Sequence, residues 1–142
     1  MIQILVVEDN PGDVRLLKRA MKGFPVPFAM NVVESGEQAL AFLNREPAFA
    51  EAPVVQLILL DWHLPRLHGR DVLSAIKSAP ALKHIPVVVL TSSDAPTDIS
   101  EAYARLSNCY ITKPLELKEY SWTIEQLEHF WFSCAKLPKL DA

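Results

Sequence analysis

Residues 54–69 read VVQLILLDWHLPRLHG. Apart from Gln56, the first seven are apolar, and the run stops at an acid, Asp61. A strand with one wet face would alternate apolar and polar residues. An unbroken run is the mark of a strand buried on both faces, as in a parallel sheet covered by helices on each side. Pro65 and Gly69 then mark a loop. After Gly69, Val72, Leu73 and Ile76 recur at helical spacing. The unit is therefore a buried strand, an acidic end, a loop and an amphipathic helix.

The same unit repeats in both directions. Upstream, the β-branched run Ile2–Val7 ends at Glu8 and Asp9. Asn10 and Pro11 supply an N-cap and a first-turn proline for a helix whose inner face is Val14, Leu17 and Met21. A turn marked by Pro25 and Pro27 leads to a second strand in which Phe28, Met30 and Val32 alternate. Ser35, with Gln38 three residues on, opens a second helix carrying Ala39, Leu40, Phe42 and Leu43. Residues 45–53 read as a loop before a strand over Val54–Leu60. Downstream, Pro86–Leu90 is a fourth buried strand ending at Thr91, Asp98–Leu106 a short helix, and Cys109–Thr112 a fifth strand. Five strand–helix units with right-handed crossovers predict an α/β fold, a doubly wound (βα)5 sandwich.

Composition narrows the function. The chain has 142 residues, half of them apolar and 22% charged, which fits one globular domain. Four glycines and eleven prolines leave no glycine-rich phosphate cradle. A net charge of -3 without a Lys/Arg run disfavours nucleic acid as a partner. The apolar N-terminus runs straight into Glu8 and Asp9 without a basic segment or cleavage site, and the apolar runs are strand-sized. A cytoplasmic protein without a membrane segment is expected. Cys109 and Cys134 form no Cys-x-x-Cys pair and read as buried, reduced residues. His63, His68, His84 and His129 share no metal-ligand spacing.

In doubly wound sheets, functional groups gather at the carboxyl ends of the strands. The residues there are Glu8 and Asp9, then Asp61, Thr91 and Lys113, with Glu34 and Ser35 after the second strand. If the first and third strands are neighbours, three carboxylates converge beside one ammonium group and one hydroxyl. Each close carboxylate pair repels by about 1 kcal/mol in water and by several-fold more when shielded. A hard divalent cation removes that cost, since Mg2+ prefers carboxylate oxygens, water and phosphate. Three carboxylates and one lysine sum to -2, which one Mg2+ neutralises, so the pocket can admit an anionic phosphoryl group. Phosphoryl transfer needs positioning and charge neutralisation, and a strand-end carboxylate can be the nucleophile.

Glu8-Asp9, Asp61 with Pro65 and Gly69, Thr91-Ser92 and Lys113-Pro114, in this order and each at a strand end, resemble the receiver domain of two-component response regulators. The resemblance spans roughly residues 2–130. It implies a flavodoxin-like five-stranded sheet in the order 2-1-3-4-5. It implies that Asp61 accepts a phosphoryl group from a histidine kinase, and that Asp9 and Asp61 hold Mg2+ with the backbone carbonyl of His63 and with Glu8 acting through a water. It further implies that Thr91 hydrogen-bonds the phosphoryl group, that Lys113 pairs with it, that Tyr110 is a switch aromatic, and that the Lys113–Pro114 bond is cis. Such a domain is a phosphoacceptor that promotes its own phosphorylation and dephosphorylation rather than an enzyme on a separate substrate. Glu8 stands where many members have Asp, and Trp62 and His63 are bulkier than the usual neighbours of the acceptor.

The last helix carries more apolar surface than packing requires. Leu117, Tyr120, Ile124, Leu127, Trp131 and Cys134 keep a three-four rhythm and are expected to face the sheet. At about 100° per residue, Trp122 falls opposite that stripe and Phe130 and Phe132 fall on its flanks, an expected partner surface. The ending Phe130-Trp131-Phe132 with Leu137-Pro138 is similar to the tails of regulators paired with bacterial phytochrome kinases. That similarity implies a homodimer through the last helix and tail, the alternative being a tail folded on its own domain. Residues 1–134 are expected to be the receiver and 135–142 a tail, with no output domain. The rival readings are a phosphorylation-independent binding module with a vestigial site and a flavodoxin-like cofactor carrier, in which Glu8-Asp9 would repel a phosphate. A haloacid-type phosphatase is weaker still, because it needs Asp-x-Asp and position 63 is His.

Overall fold

The computed structural model describes residues 1–139. Five parallel strands, β1 (Ile2–Val7), β2 (Phe28–Val33), β3 (Leu57–Leu60), β4 (Val87–Thr91) and β5 (Cys109–Thr112), form one sheet in the order β2-β1-β3-β4-β5. The helices are α1 (Pro11–Met21), α2 (Gly36–Leu43), α3 (Gly69–Ser78), α4 (Pro96–Ala104) and α5 (Leu117–Glu128), with one 3-10 turn at Pro47–Phe49 in the expected loop. This is the doubly wound flavodoxin-like topology expected from the sequence.

The unbroken hydrophobic runs supply two cores at once. Along β3, Ile58 and Leu60 pack with Leu5, Val7, Val87 and Val89 towards α2 and α3. Leu57 and Leu59 pack with Ile4, Val6, Val88 and Leu90 towards α1 and α5. Adjacent residues point to opposite faces, so each strand feeds both layers. The caps follow the sequence. The Asn10 side chain accepts from the N–H groups of Gly12 and Asp13, and the Ser35 hydroxyl accepts from that of Gln38. The Gln38 side chain answers to the N–H of Glu34 rather than of Ser35, 2.8 Å away.

Several boundaries move for local reasons. β3 begins at Leu57, not Val54, and at its entrance the Gln3 N–H donates to the Gln56 side-chain Oε1 at 3.2 Å instead of to a strand carbonyl. α4 starts at Pro96, where proline occupies the first helical position at no hydrogen-bond cost. It ends before Leu106, whose φ of 74° closes the turn.

The largest departure is at the end of α5. Tyr120, Ile124 and Leu127 face inward as expected, but His129–Cys134 continue as a π-helix. Its i→i+5 closure, seen in Ala135 N–H donating to the Phe130 carbonyl at 2.7 Å, delays the inward position by one residue. Phe132 is therefore buried, its ring 5.8 Å from Phe24 and 5.4 Å from Phe28, and does not belong to a partner surface. Trp131 is half-buried, while Cys134 and Leu117 are exposed, contrary to the expected stripe. Cys109 is half-buried. Leu137 and Pro138 are partly covered, and Lys139 lines a groove with Leu43, Pro53 and Leu82 of its own domain. No helix among the described residues is long and apolar enough to cross a membrane.

Candidate functional site

The register places the acids. Val7 pairs with Leu60 and Leu60 with Val89, so β1, β3 and β4 end side by side. Beyond the ladder, the backbone N–H of Asp61 donates to the Val7 carbonyl at 3.0 Å and that of Glu8 to the Val33 carbonyl at 3.1 Å. Glu8, Asp9 and Asp61 consequently each bring a carboxylate oxygen within 4.8 Å of the others. Glu8 is buried, Asp61 half-buried and Asp9 exposed, a gradient from protein to solvent.

Glu8 is held from two sides. Its Oε1 accepts from the N–H of Asn10 at 3.1 Å, and its Oε2 accepts from Lys113 Nζ at 2.5 Å. Burial, reinforced by the neighbouring charge of Asp61, pushes the Glu8 carboxyl up to about 7, against the hydrogen bond and charge of Lys113. Burial works to lower the Lys113 ammonium, yet the hydrogen bond and charge of Glu8, with Asp61 and Asp13, carry it above the ordinary lysine range. Asp13 Oδ2 lies 3.2 Å from Lys113 Nζ. Asp13 is a member of the site that strand ends alone do not reveal. Its place in the first turn of α1, facing the same rim as Glu8, is the signal that could have found it.

Thr91 is buried at the end of β4, and its Oγ1 donates to Asp61 Oδ1 at 2.6 Å. Its carbonyl accepts from the Lys113 N–H at 2.7 Å, fixing the loop that carries the lysine. Of the rival hydroxyls, Ser92 is exposed, and Ser93 turns to Asp98. Tyr110 lies half-buried on β5, and its hydroxyl donates to the Ser93 carbonyl at 2.8 Å. No peptide bond among the described residues is cis, so Lys113–Pro114 is trans, which corrects the expectation. Trans is favoured for such a bond by about 0.5–1 kcal/mol, and from it Lys113 already reaches Glu8 and Asp13.

The bulky neighbours of Asp61 separate. Trp62 is fully buried under the loop, its ring 5.3 Å from that of His68, and takes no part in the site's mouth. His63 points outward, with Nε2 2.9 Å from Asp98 Oδ2. A Cβ on Gly69 would lie 2.6 Å from the Asp61 carbonyl oxygen and 2.7 Å from that of Trp62, so only glycine lets α3 start this close to the end of β3. Trp122 and Phe130 are 63% and 53% exposed, on the outside of the last helix.

The cluster suits a hard cation. Three carboxylates at one rim offer only oxygen donors, with no thiol or imidazole in the set, which matches Mg2+ or Mn2+ and not a soft metal. Lys113 sits beside them with its charge intact, ready to face an anion.

Residues 4–125 match the family described as the response regulator receiver domain. Among curated proteins, the response regulator Rcp1 of Synechocystis sp. is 39% identical over 135 residues, covering 95% of this chain and 92% of its own. The probable methanogenesis regulatory protein FilR2 of Methanothrix harundinacea is 33% identical over 135 residues, covering 95% and 86%. Among solved structures, the Mn2+-bound form of Rcp1 superposes with a TM-score of 0.94 at 38% identity, over 98% of this chain and 100% of that one. The phosphorylated cyanobacterial phytochrome response regulator RcpA gives 0.93 at 43% identity, over 97% and 99%.

Proposed function

This chain belongs to the response regulator receiver family, and on that premise we propose that Asp61 is its phosphoacceptor, served by a histidine kinase. The observation that carries the assignment is the bond from Thr91 Oγ1 to Asp61 Oδ1, at a rim where Glu8, Asp9 and Lys113 also meet. A vestigial site would have no reason to gather all five groups at one rim.

In the proposed reaction a carboxylate oxygen of Asp61 attacks the phosphorus of a phosphohistidine in line. The Oδ–P bond forms, the P–N bond breaks, and the freed imidazole keeps its electron pair and takes up a proton. Thr91 donates its hydroxyl to a phosphoryl oxygen, and Lys113 sets its charge against the same group. Glu8, Asp9, Asp61 and the carbonyl of His63 would hold a divalent cation, Mg2+ in the proposed physiological form, which neutralises charge on the transferring group. Attack by water on the phosphorus then breaks the Oδ–P bond, releases inorganic phosphate and returns the Asp61 carboxylate. The protein thus assists its own phosphorylation and dephosphorylation, and turns over no separate substrate.

The added charge pulls on Thr91 and on the loop that Tyr110 bonds, biasing two pre-existing states of the surface built by α4, β5 and α5. The likeness to RcpA, a phytochrome response regulator, supports a phytochrome-type kinase as the donor. Trp122 and Phe130, large and exposed on the last helix, support a homodimer through that helix, whereas the tail as far as Lys139 lies against its own domain.

Phosphotransfer from a panel of histidine kinases tests the assignment. Label should move to the wild type from a phytochrome-type kinase and not to Asp61→Asn. Transfer to both proteins alike would refute it.

A further inference from the structure

Between the acceptor loop and α4 lies a contact that phosphotransfer itself does not use. One carboxylate oxygen, Asp98 Oδ2, accepts from Ser93 Oγ at 2.5 Å and lies 2.9 Å from His63 Nε2. Asp98 sits in the first turn of α4, Ser93 two residues beyond Thr91, and His63 two residues beyond Asp61. Ser93 Oγ also accepts from the N–H of Ala95 at 3.3 Å, so the side chain braces the entrance to the helix. The backbone carbonyl of the same serine accepts from Tyr110 OH at 2.8 Å and from Thr112 Oγ1 at 3.4 Å. Ser93, in the loop after β4, therefore meets β5 directly and, through Asp98 of α4, the loop after β3.

We propose that Asp98 is a positioning residue, clamping Ser93 so that the loop after Thr91 is pre-set in the arrangement that phosphoryl binding requires. In this arrangement Thr91 Oγ1 is already on the acceptor and Tyr110 OH is already on the Ser93 carbonyl. Both contacts need the Thr91–Ala95 loop drawn towards the site, and Asp98 is the side chain that holds its middle. His63 extends the clamp to the segment carrying the acceptor, so that α4 and the acceptor loop are tied through one carboxylate. A site whose loop is pre-set does not have to order it when the phosphoryl group arrives. Asp98 touches neither Asp61 nor the carboxylates of the rim and meets His63 only at its imidazole, so its hold on the loop after Thr91 passes through Ser93.

The inference rests on Asp61 being the phosphoacceptor, and two readouts keep the two ideas separable. The first is the affinity for beryllofluoride, a phosphoryl mimic, in the presence of Mg2+. Asp98→Ala and Ser93→Ala should each bind it about two- to fivefold more weakly than wild type, the size expected of a partly buried charged hydrogen bond that acts on the site through the loop. The double variant should bind no more weakly than Asp98→Ala, and Ser93→Thr, which keeps the hydroxyl, should restore wild-type affinity. The second is the NMR signal of the Tyr110 ring in the unliganded protein, which should shift in Asp98→Ala and in Ser93→Ala and keep its wild-type position in Ser93→Thr. Unchanged or tighter beryllofluoride binding in both single variants, additive losses in the double, or a Tyr110 signal indifferent to Asp98 would each overturn the clamp. Failure of the wild type to bind beryllofluoride, with Tyr110 still responding to Asp98, would instead sink the phosphoacceptor reading and with it the clamp's role in phosphorylation.

Discussion

A single methyl group at position 69 would meet the backbone of Asp61 and Trp62 at 2.6 to 2.8 Å, and backbone cannot yield as a side chain can. Gly69→Ala should therefore cost about 2 kcal/mol or more in denaturant unfolding and lower phosphorylation, since relief comes only by moving the peptide of Asp61, the proposed acceptor. A milder response in both would mean that α3 shifts freely. Lys113 makes a second prediction. With Lys113→Met, Glu8 loses its partner in a buried setting, a change that typically costs about 3–5 kcal/mol. Because the Glu8 carboxyl already sits near 7, it can shed its charge by protonation, so the loss measured without divalent ions should be larger at pH 8 than at pH 6. Equal losses at both values would mean that Glu8 does not take up the proton. Asp9, Asp61, Thr91 and Lys113 were legible because each stands at a strand end. Asp13 and Asp98 were not, because both lie in helical first turns, where an acid has an ordinary role as a partner of the helix dipole.

The last helix shows how an element can be read correctly in kind and wrongly in phase. A strict 3.6-residue period puts Trp131 inward, but the π-turn puts Phe132 there, against Phe24 and Phe28. Such a switch in closure leaves no mark in an apolar pattern where three aromatics run in succession. Phe132→Ala should accordingly cost about 3 kcal/mol in thermal or chemical unfolding, whereas Phe130→Ala should stay within about 0.5 kcal/mol. If Phe130 proved the costlier, Phe132 would not be the inward residue of the π-turn. The same junction buries Glu128 with Oε2 unpartnered, and that burial, aided by the charge of Glu125, pushes its carboxyl up to about 7. A carboxyl raised in the folded state binds its proton more tightly there than in the unfolded chain. Its contribution is thus fully present below about 4.5 and is lost as pH rises to about 7, a fall on the order of 1–3 kcal/mol. Glu128→Gln should flatten that part of the stability–pH profile, and an unaltered slope would assign it to other groups.

At the scale of the molecule, the sheet was legible because its strands are buried on both faces. Leu57–Leu60 feeds two cores, so its sequence cannot alternate, and the unbroken run announces a central parallel strand. β2 stands at the edge with most of its residues half-buried, and there the alternation of Phe28, Met30 and Val32 marked it instead of an unbroken run. The rim was legible as a set of residues but not as a set of bonds: Thr91 meets Asp61, and Lys113 meets Glu8 and Asp13, only once the register is known. The trans Lys113–Pro114 bond likewise could not be read from residue types, because proline permits either isomer. The proposed homodimer also belongs to this scale. Sedimentation of wild type against Trp122→Ala and Phe130→Ala should show the variants shifted towards monomer, and identical profiles would remove the last helix as an interface.

The most direct measurement is the intact mass of the protein after incubation with acetyl phosphate. With Mg2+ present the wild type should gain one phosphoryl group, and Asp61→Asn, or wild type stripped of divalent ions, should gain none. A wild type that stays unmodified, or an Asp61→Asn protein that gains the group just as readily, would contradict the assignment of the strand-end carboxylate as acceptor.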